Sequence, residues 1–300
     1  MTHSVHEEQP DVPHVSSPAI TKPGPPGGAL ILIGGNASVN GHALGAFFEA
    51  SRAQRGERIV CITAASNEPI ESANFWKSAF NSVGVEHALF PALARDNLRT
   101  DESVAAMIDE ARGVYLGGGD QVKLVTTLTG TRTCEAIKRL HARGGVVAGT
   151  SAGAAAQSML TMAGGEIDNE GNLVEQYLGP GLGLLGFGCI IDTHFSARKR
   201  LQRLFIVIAG NTQLFGVGID EDTAIIVRGS VGQVIGSGGV TFVDGRDTVR
   251  FNNASALEKG RQLTLSHLRV GVVGTKYHLD LERREVDELR TAPESPHRRG

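Results

Sequence analysis

The sequence predicts an α/β protein with a mostly parallel central sheet, helices on both of its faces, and a short-stranded, β-rich C-terminal part. Three observations carry this. Short, wholly apolar runs alternate with helix-length amphipathic segments through the first half of the chain, the signature of strands buried on both sides. The 39 glycines fall largely where those runs end, as tight strand exits require. From Leu214 onward the rhythm shortens to brief β-type runs without intervening helices.

Ala29–Ile33 is the first such run, leaving through Gly34-Gly35-Asn36. Gly41–Arg55 has helical spacing through Leu44, Phe47 and Phe48. Arg58–Ala64 is a second strand, and Pro69–Val83 a helix with proline in its first turn. Val85–Phe90, helix Asp101–Ala111 and strand Gly113–Leu116 continue the alternation. Ligands of such sheets sit beyond the carboxyl ends of the strands, so Gly34–Asn36, Ala65–Asn67, Gly117–Gln121 and Ser151 are expected on one edge. Met162–Gly188 is rich in glycine and acids, with Gly179-Pro180-Gly181-Leu182-Gly183 marking a loop over that edge. Cys189–Asp192 is a strand, Ser196–Ala209 a helix, and Phe215–Asp220, Thr223–Val227, Gln233–Ile235, Val240–Val243 and Leu263–Val273 are the closing β-runs.

Composition narrows the function. The formal charge is −3, with neither a basic excess for nucleic acid nor a charge block for a membrane surface. Residues 1–28, with prolines and histidines but no apolar run, read as a disordered leader, and 291–300 as a disordered tail around a single domain at 29–290. The three cysteines, Cys61, Cys134 and Cys189, are scattered, which fits buried thiols in a reducing, cytoplasmic setting. No histidine or cysteine spacing marks a metal site, and no cofactor is called for.

Chemistry concentrates at Gly149-Thr150-Ser151-Ala152-Gly153. A buried strand meets a helix at Gly-x-Ser-x-Gly, a nucleophile elbow, where the glycines relieve the crowding of a very sharp turn. Ser151 is the candidate nucleophile, and the N–H of Ala152 a first oxyanion donor. Gly117-Gly118-Gly119-Asp120-Gln121 leaves a strand for a helix capped by Asp120. Gly118 or Gly119 is placed either as the second donor or as part of a phosphate cradle. His194, in Asp192-Thr193-His194-Phe195, is a candidate base, because imidazole accepts protons near neutral pH. Arg198, Arg200 and Arg203 follow, suited to bidentate grip of carboxylates, with Arg200 and Arg203 on one helical face and Arg198 nearly opposite. An acid from Asp220-Glu221-Asp222 could orient the imidazole, with Glu166 and Glu170 as rivals.

Together these residues resemble the cyanophycinase family of serine peptidases, related to the aspartyl dipeptidases. GTSAGA at 149–154, GGGDQ at 117–121, D-x-H-F-x-x-R-x-R-x-x-R-L from Asp192, GIDEDTA at 218–224 and the G-L-G-L-L loop at 181–185 carry the likeness, from residue 29 to about 245. It implies a class I glutamine amidotransferase-like fold, a homodimer, and a triad of Ser151, His194 and Glu221. Gln121, Asp192, Arg198, Arg200 and Arg203 then fall on pocket positions, as does Thr193. The implied reaction is exopeptidase release of β-Asp-Arg dipeptides from cyanophycin through an acyl-enzyme. Two positions depart from the family pattern. Thr193 replaces a glutamine and lacks its amide, and Asn36-Ala37-Ser38-Val39 replaces an acid-and-lysine series. An aspartyl or isoaspartyl dipeptidase on another acidic peptide is the neighbouring reading, and a non-catalytic anion-binding module the distant one.

Overall fold

The computed structural model describes residues 27–93, 97–167, 173–250 and 264–288. The leader before residue 27, Glu170 and the tail from 291 lie outside them. The parallel strands are β1 (Leu30–Ile33), β2 (Ile59–Ile62), β3 (Ala88–Leu89), β4 (Gly113–Leu116) and β5 (Val146–Thr150). Between them run α1 (His42–Ser51), α2 (Pro69–Asn81), α3 (Leu98–Asp109), α4 (Gln121–Leu128) and α5 (Arg132–Ala142). A four-residue helix α6 (Ala152–Ala155), strands β6 (Leu160–Ile167), β7 (Leu173–Pro180) and β8 (Cys189–Thr193), and helix α7 (Leu201–Gly210) follow. The described residues close with β9 (Phe215–Ile219), β10 (Thr223–Arg228), β11 (Val231–Gly236), β12 (Val240–Asp244), β13 (Val249–Arg250), β14 (Leu265–Ser266), β15 (Arg269–Val273), β16 (Tyr277–Asp280) and β17 (Glu285–Glu288).

Among the described residues the main sheet has nine strands in the order β17-β16-β11-β10-β1-β5-β4-β2-β3. From β1 to β3 every pairing is parallel, and from β1 outward to β17 every pairing is antiparallel. Strands β1, β2, β4 and β5 are buried at every position, because helices cover both faces. One face packs Ile31, Ile33, Ile59, Cys61, Tyr115 and Ala148 under Leu44, Phe47 and Phe48 of α1 and Phe80 of α2. The alternate residues, Leu30, Leu32, Val60, Ile62, Val114, Leu116 and Val147, meet α3, α4 and α5 and the inner side of a second sheet. That sheet has the order β15-β12-β9-β8, and α7 closes its far side through Leu204, Val207 and Ile208 against Ile190 and Val243.

Several element boundaries differ from the sequence expectation. The glycine- and acid-rich stretch 162–188, for which no strand is read, is largely the β6–β7 hairpin, a sheet of its own, with the marked loop beginning only after Pro180. The expected strand 85–90 shrinks to β3 at the sheet rim. The helix expected from Ser196 begins only at Leu201, the residues before it forming turns in which His194 and Lys199 adopt positive φ. Strands β16 and β17 were not expected at all. They are fastened by Arg284, whose buried guanidinium reaches Asp244 (2.7 Å) and the carbonyl of Gln213 (2.6 Å). Among the described residues no helix is long and apolar enough to cross a membrane.

Asp101 shows how helices are tied together. Its buried carboxylate accepts from the N–H groups of Arg132 and Thr133 (both 2.8 Å) and from the Thr133 hydroxyl (2.7 Å), joining α3 to the N-terminus of α5. Burial alone would raise its pKa, but these bonds outweigh that and hold it below the ordinary carboxylate value. A group lowered in the folded state adds stability above its unfolded pKa of roughly 4 and loses it as pH falls through the folded value. Asp101→Ala is therefore expected to cost about 1–3 kcal/mol in urea unfolding at pH 7, the gap to wild type narrowing at strongly acid pH.

Candidate active site

The edge at the carboxyl ends of the parallel strands gathers the residues singled out above. Ser151 sits between β5 and α6 at φ 53 and ψ −116, a backbone state that side chains rarely occupy. The flanking glycines make that turn possible. A methyl at Gly149 would stand 2.2 Å from the carbonyl oxygen of Gly153, and one at Gly153 2.1 Å from that of Leu116. The hydroxyl is thus held up at the sheet's crest.

His194 arrives from the second sheet, at the end of β8, with φ 51. Its Nε2 lies 2.9 Å from Ser151 Oγ, and its Nδ1 lies 2.6 Å from Glu221 Oε1. With Nδ1–H donated to the carboxylate, Nε2 keeps its lone pair toward the serine hydroxyl. Ser151, His194 and Glu221 therefore form one hydrogen-bonded line, in the chain order serine, histidine, acid. The hydrogen bond from His194 holds the Glu221 carboxyl below its ordinary pKa, with a second bond from Asn36 and the nearby Arg198 charge assisting. The neighbouring acids have other tasks. Asp220 accepts from the N–H groups of Ser196 (3.0 Å) and Gly239 (3.1 Å), and Asp222 accepts from the Ser237 hydroxyl (3.2 Å). Of the rival acids, Glu166 lies on β6 and Glu170 outside the described residues.

Gly118 lies against the serine, where an added methyl would sit 3.4 Å from Ser151 Cβ. Gly119, at φ 137, has no room for a side chain, since a methyl would meet the Ala65 carbonyl at 2.2 Å. Neither glycine's N–H has a hydrogen-bond partner among the described residues. Asp120 caps α4 through Val122 N–H (2.7 Å), as the sequence indicated. Gly119 and Ala152, at the start of α6, line the same cleft as Ser151.

A narrow cleft of about 60 Å³ opens next to the serine, lined by Gly119, Gln121, Ala152, Asp192, Thr193, Arg198, Arg200 and Arg203, together with Thr161 and Met162 of β6. A wider open hollow of about 1130 Å³ lies between α1 and β10–β11 and contains none of these residues. In the cleft, Asp192 is 1% exposed and is gripped from two sides. Arg200 Nη1 reaches its Oδ1 at 3.0 Å, and Arg203 binds both oxygens, Nε to Oδ2 at 2.6 Å. Burial lowers the Arg200 pKa, with Asp192 opposing. The shared helical face read for Arg200 and Arg203 is replaced by a turn followed by the first helical turn, yet both side chains still converge. Arg198 is exposed and has no ion-pair partner among the described residues. Gln121 donates its amide to the Met162 carbonyl, which fixes the hairpin over the cleft.

Sequence reasoning missed two contributors. Asn36 was expected on the active edge with Gly34 and Gly35 but was given no role there, and Thr161, buried with its hydroxyl unpartnered, left no signal.

Residues 30–235 match the model of peptidase family S51. The chain belongs to peptidase family S51. Cyanophycinases from Trichormus variabilis and a Nostoc species are each 33% identical to this S51 peptidase over 258 residues, covering 84% of its chain and 85% of theirs. The crystal structure of a peptidase from an acI-B1 actinobacterium superposes with a TM-score of 0.58 at 20% identity, over 73% of this chain and 92% of that one, a likeness of fold. This S51 member is accordingly a serine-type peptidase of cyanophycinase type.

Proposed function

We propose that this S51 peptidase is an exopeptidase that hydrolyses cyanophycin, multi-L-arginyl-poly-L-aspartate, to β-Asp-Arg dipeptides through an acyl-enzyme on Ser151. The observation that carries the reading is the continuous line Ser151–His194–Glu221 beside a cleft lined, among the described residues, by three arginines and one acid.

In this mechanism Ser151 Oγ attacks the scissile carbonyl while His194 Nε2 takes its proton. Glu221 keeps the imidazole in the right tautomer and stabilises the imidazolium. The N–H groups of Ala152 and of Gly118 or Gly119 bind the oxyanion. His194 then protonates the leaving amine, and water, deprotonated by the same imidazole, releases the acyl group. Arg198, not committed to an internal acid, meets a substrate carboxylate, whereas Arg200 and Arg203, both engaged by Asp192, form the pocket wall with Gln121 and Thr193. The curated relatives of cyanophycinase name support the substrate class.

Incubation of the purified chain with cyanophycin, followed by mass spectrometry of the soluble products, tests this. The expected product is β-Asp-Arg. An untouched polymer alongside cleavage of isoaspartyl dipeptides would move the assignment to the dipeptidase reading.

A further inference from the structure

Four consecutive residues leaving β1 touch every strand exit that supplies the serine–histidine–acid line. The carbonyl of Ile33 accepts from Ser151 N–H (3.0 Å), that of Gly34 from His194 N–H (2.7 Å), and that of Gly35 from Asp222 N–H (2.9 Å), next to Glu221. The fourth residue uses its side chain. Asn36 Nδ2 donates to Glu221 Oε2 at 3.2 Å, the oxygen that His194 leaves free. Ser151 follows a strand of the main sheet, while His194 and Glu221 follow strands of the second sheet. Their spacing must therefore be set across two sheets, and the exit of β1 lies between them.

The local geometry fits such a task. Gly35 has no room for a side chain, as a methyl would lie 2.3 Å from His194 Cε1. Asn36 stands at φ 47, left-handed backbone that asparagine tolerates better than most residues. Glu221 is a third exposed, at 33%, so a bond to His194 alone leaves its carboxylate plane free to turn. A second donor at Oε2 stops that rotation. The charged groups around the pair are Arg198 from the turn after β8, Asp220 and Asp222 on either side of Glu221, and the Asp192–Arg200–Arg203 cluster. Ala37, Ser38 and Val39 add no charge. Asn36, being neutral, fixes the acid without cancelling the charge that favours an imidazolium.

We propose that Ile33–Asn36 is the spacing element of the site and that Asn36 is a positioning residue for Glu221, locking its carboxylate so that Oε1 faces His194. This rests on the roles proposed above for Ser151, His194 and Glu221.

The test uses the full chain with Asn36→Gly, which keeps the left-handed backbone and drops the donor, and Asn36→Asp, which keeps the shape but faces Glu221 with like charge. Two readouts are taken: the rate of Ser151 labelling by a fluorophosphonate, and the downfield imidazole Nδ1–H proton resonance that His194→Ala removes. Labelling is expected to slow roughly three- to ten-fold in Asn36→Gly, the size of one lost hydrogen bond, and further in Asn36→Asp. The resonance should broaden in the first and vanish in the second, with the thermal midpoint of Asn36→Gly unchanged. Wild-type labelling rates and an intact resonance in both variants would overturn the positioning role. So would slowing matched by a fallen midpoint in Asn36→Gly. Failure of the wild type itself to label would count against the serine mechanism, while the resonance would still decide what Asn36 does.

Discussion

Ser151→Ala is expected to lower hydrolysis of cyanophycin by roughly four to six orders of magnitude, with the fold intact, because the rest of the site can only bind and polarise. Dipeptide release, followed by chromatography, measures it. Activity within tenfold of wild type would mean that another group makes the attack. A companion variant separates chemistry from architecture. Ser151 occupies φ 53 and ψ −116, strain of about 1–3 kcal/mol for a residue with a side chain. Ser151→Gly should therefore be as inactive as the alanine variant yet melt at a higher temperature. Stability and turnover would then change in opposite directions at one position.

The second large effect is expected at Asp192. Its carboxylate is the counter-charge for Arg200 and Arg203, whose side chains are only 19% and 23% exposed. Asp192→Ala leaves two guanidinium groups partly buried and unpaired, at an expected cost of about 3–5 kcal/mol. Urea denaturation checks that figure. In whatever fraction stays folded, the arginines would swing out of the wall, so KM should rise more than kcat falls. Asp192→Asn keeps the hydrogen-bond acceptor and should lie between. An unchanged denaturation midpoint in the alanine variant would show that the cluster is solvated and not structural.

What the sequence revealed and what it hid follow from the same physics. The elbow was legible because its turn admits only glycine on either side of Ser151, and strands β1, β2, β4 and β5 because double-sided burial leaves no polar residue in their middles. His194 was legible as a residue at a strand end near that elbow. The helix after it starts later than propensity from Ser196 onward suggests, because propensity says nothing of the turn that brings Arg200, ahead of Arg203 in the first helical turn, to Asp192. Hairpin β6–β7 was hidden by Gly164, Gly165 and Gly179, which dilute the alternation that marks a strand and leave cross-strand pairing as its definition. Asn36 had no local signature either, since its partner is 185 positions away.

The nine-stranded sheet ends in two unlike rims. At one, β3 is two residues long. At the other, β17 is exposed throughout and presents Glu285, Asp287 and Glu288 to solvent. An open rim invites another chain to add itself as a tenth strand, the first step toward an insoluble stack. Among the described residues, brevity guards one side and repulsion between acids the other, so copies of this chain at high concentration are kept from zipping together edge to edge.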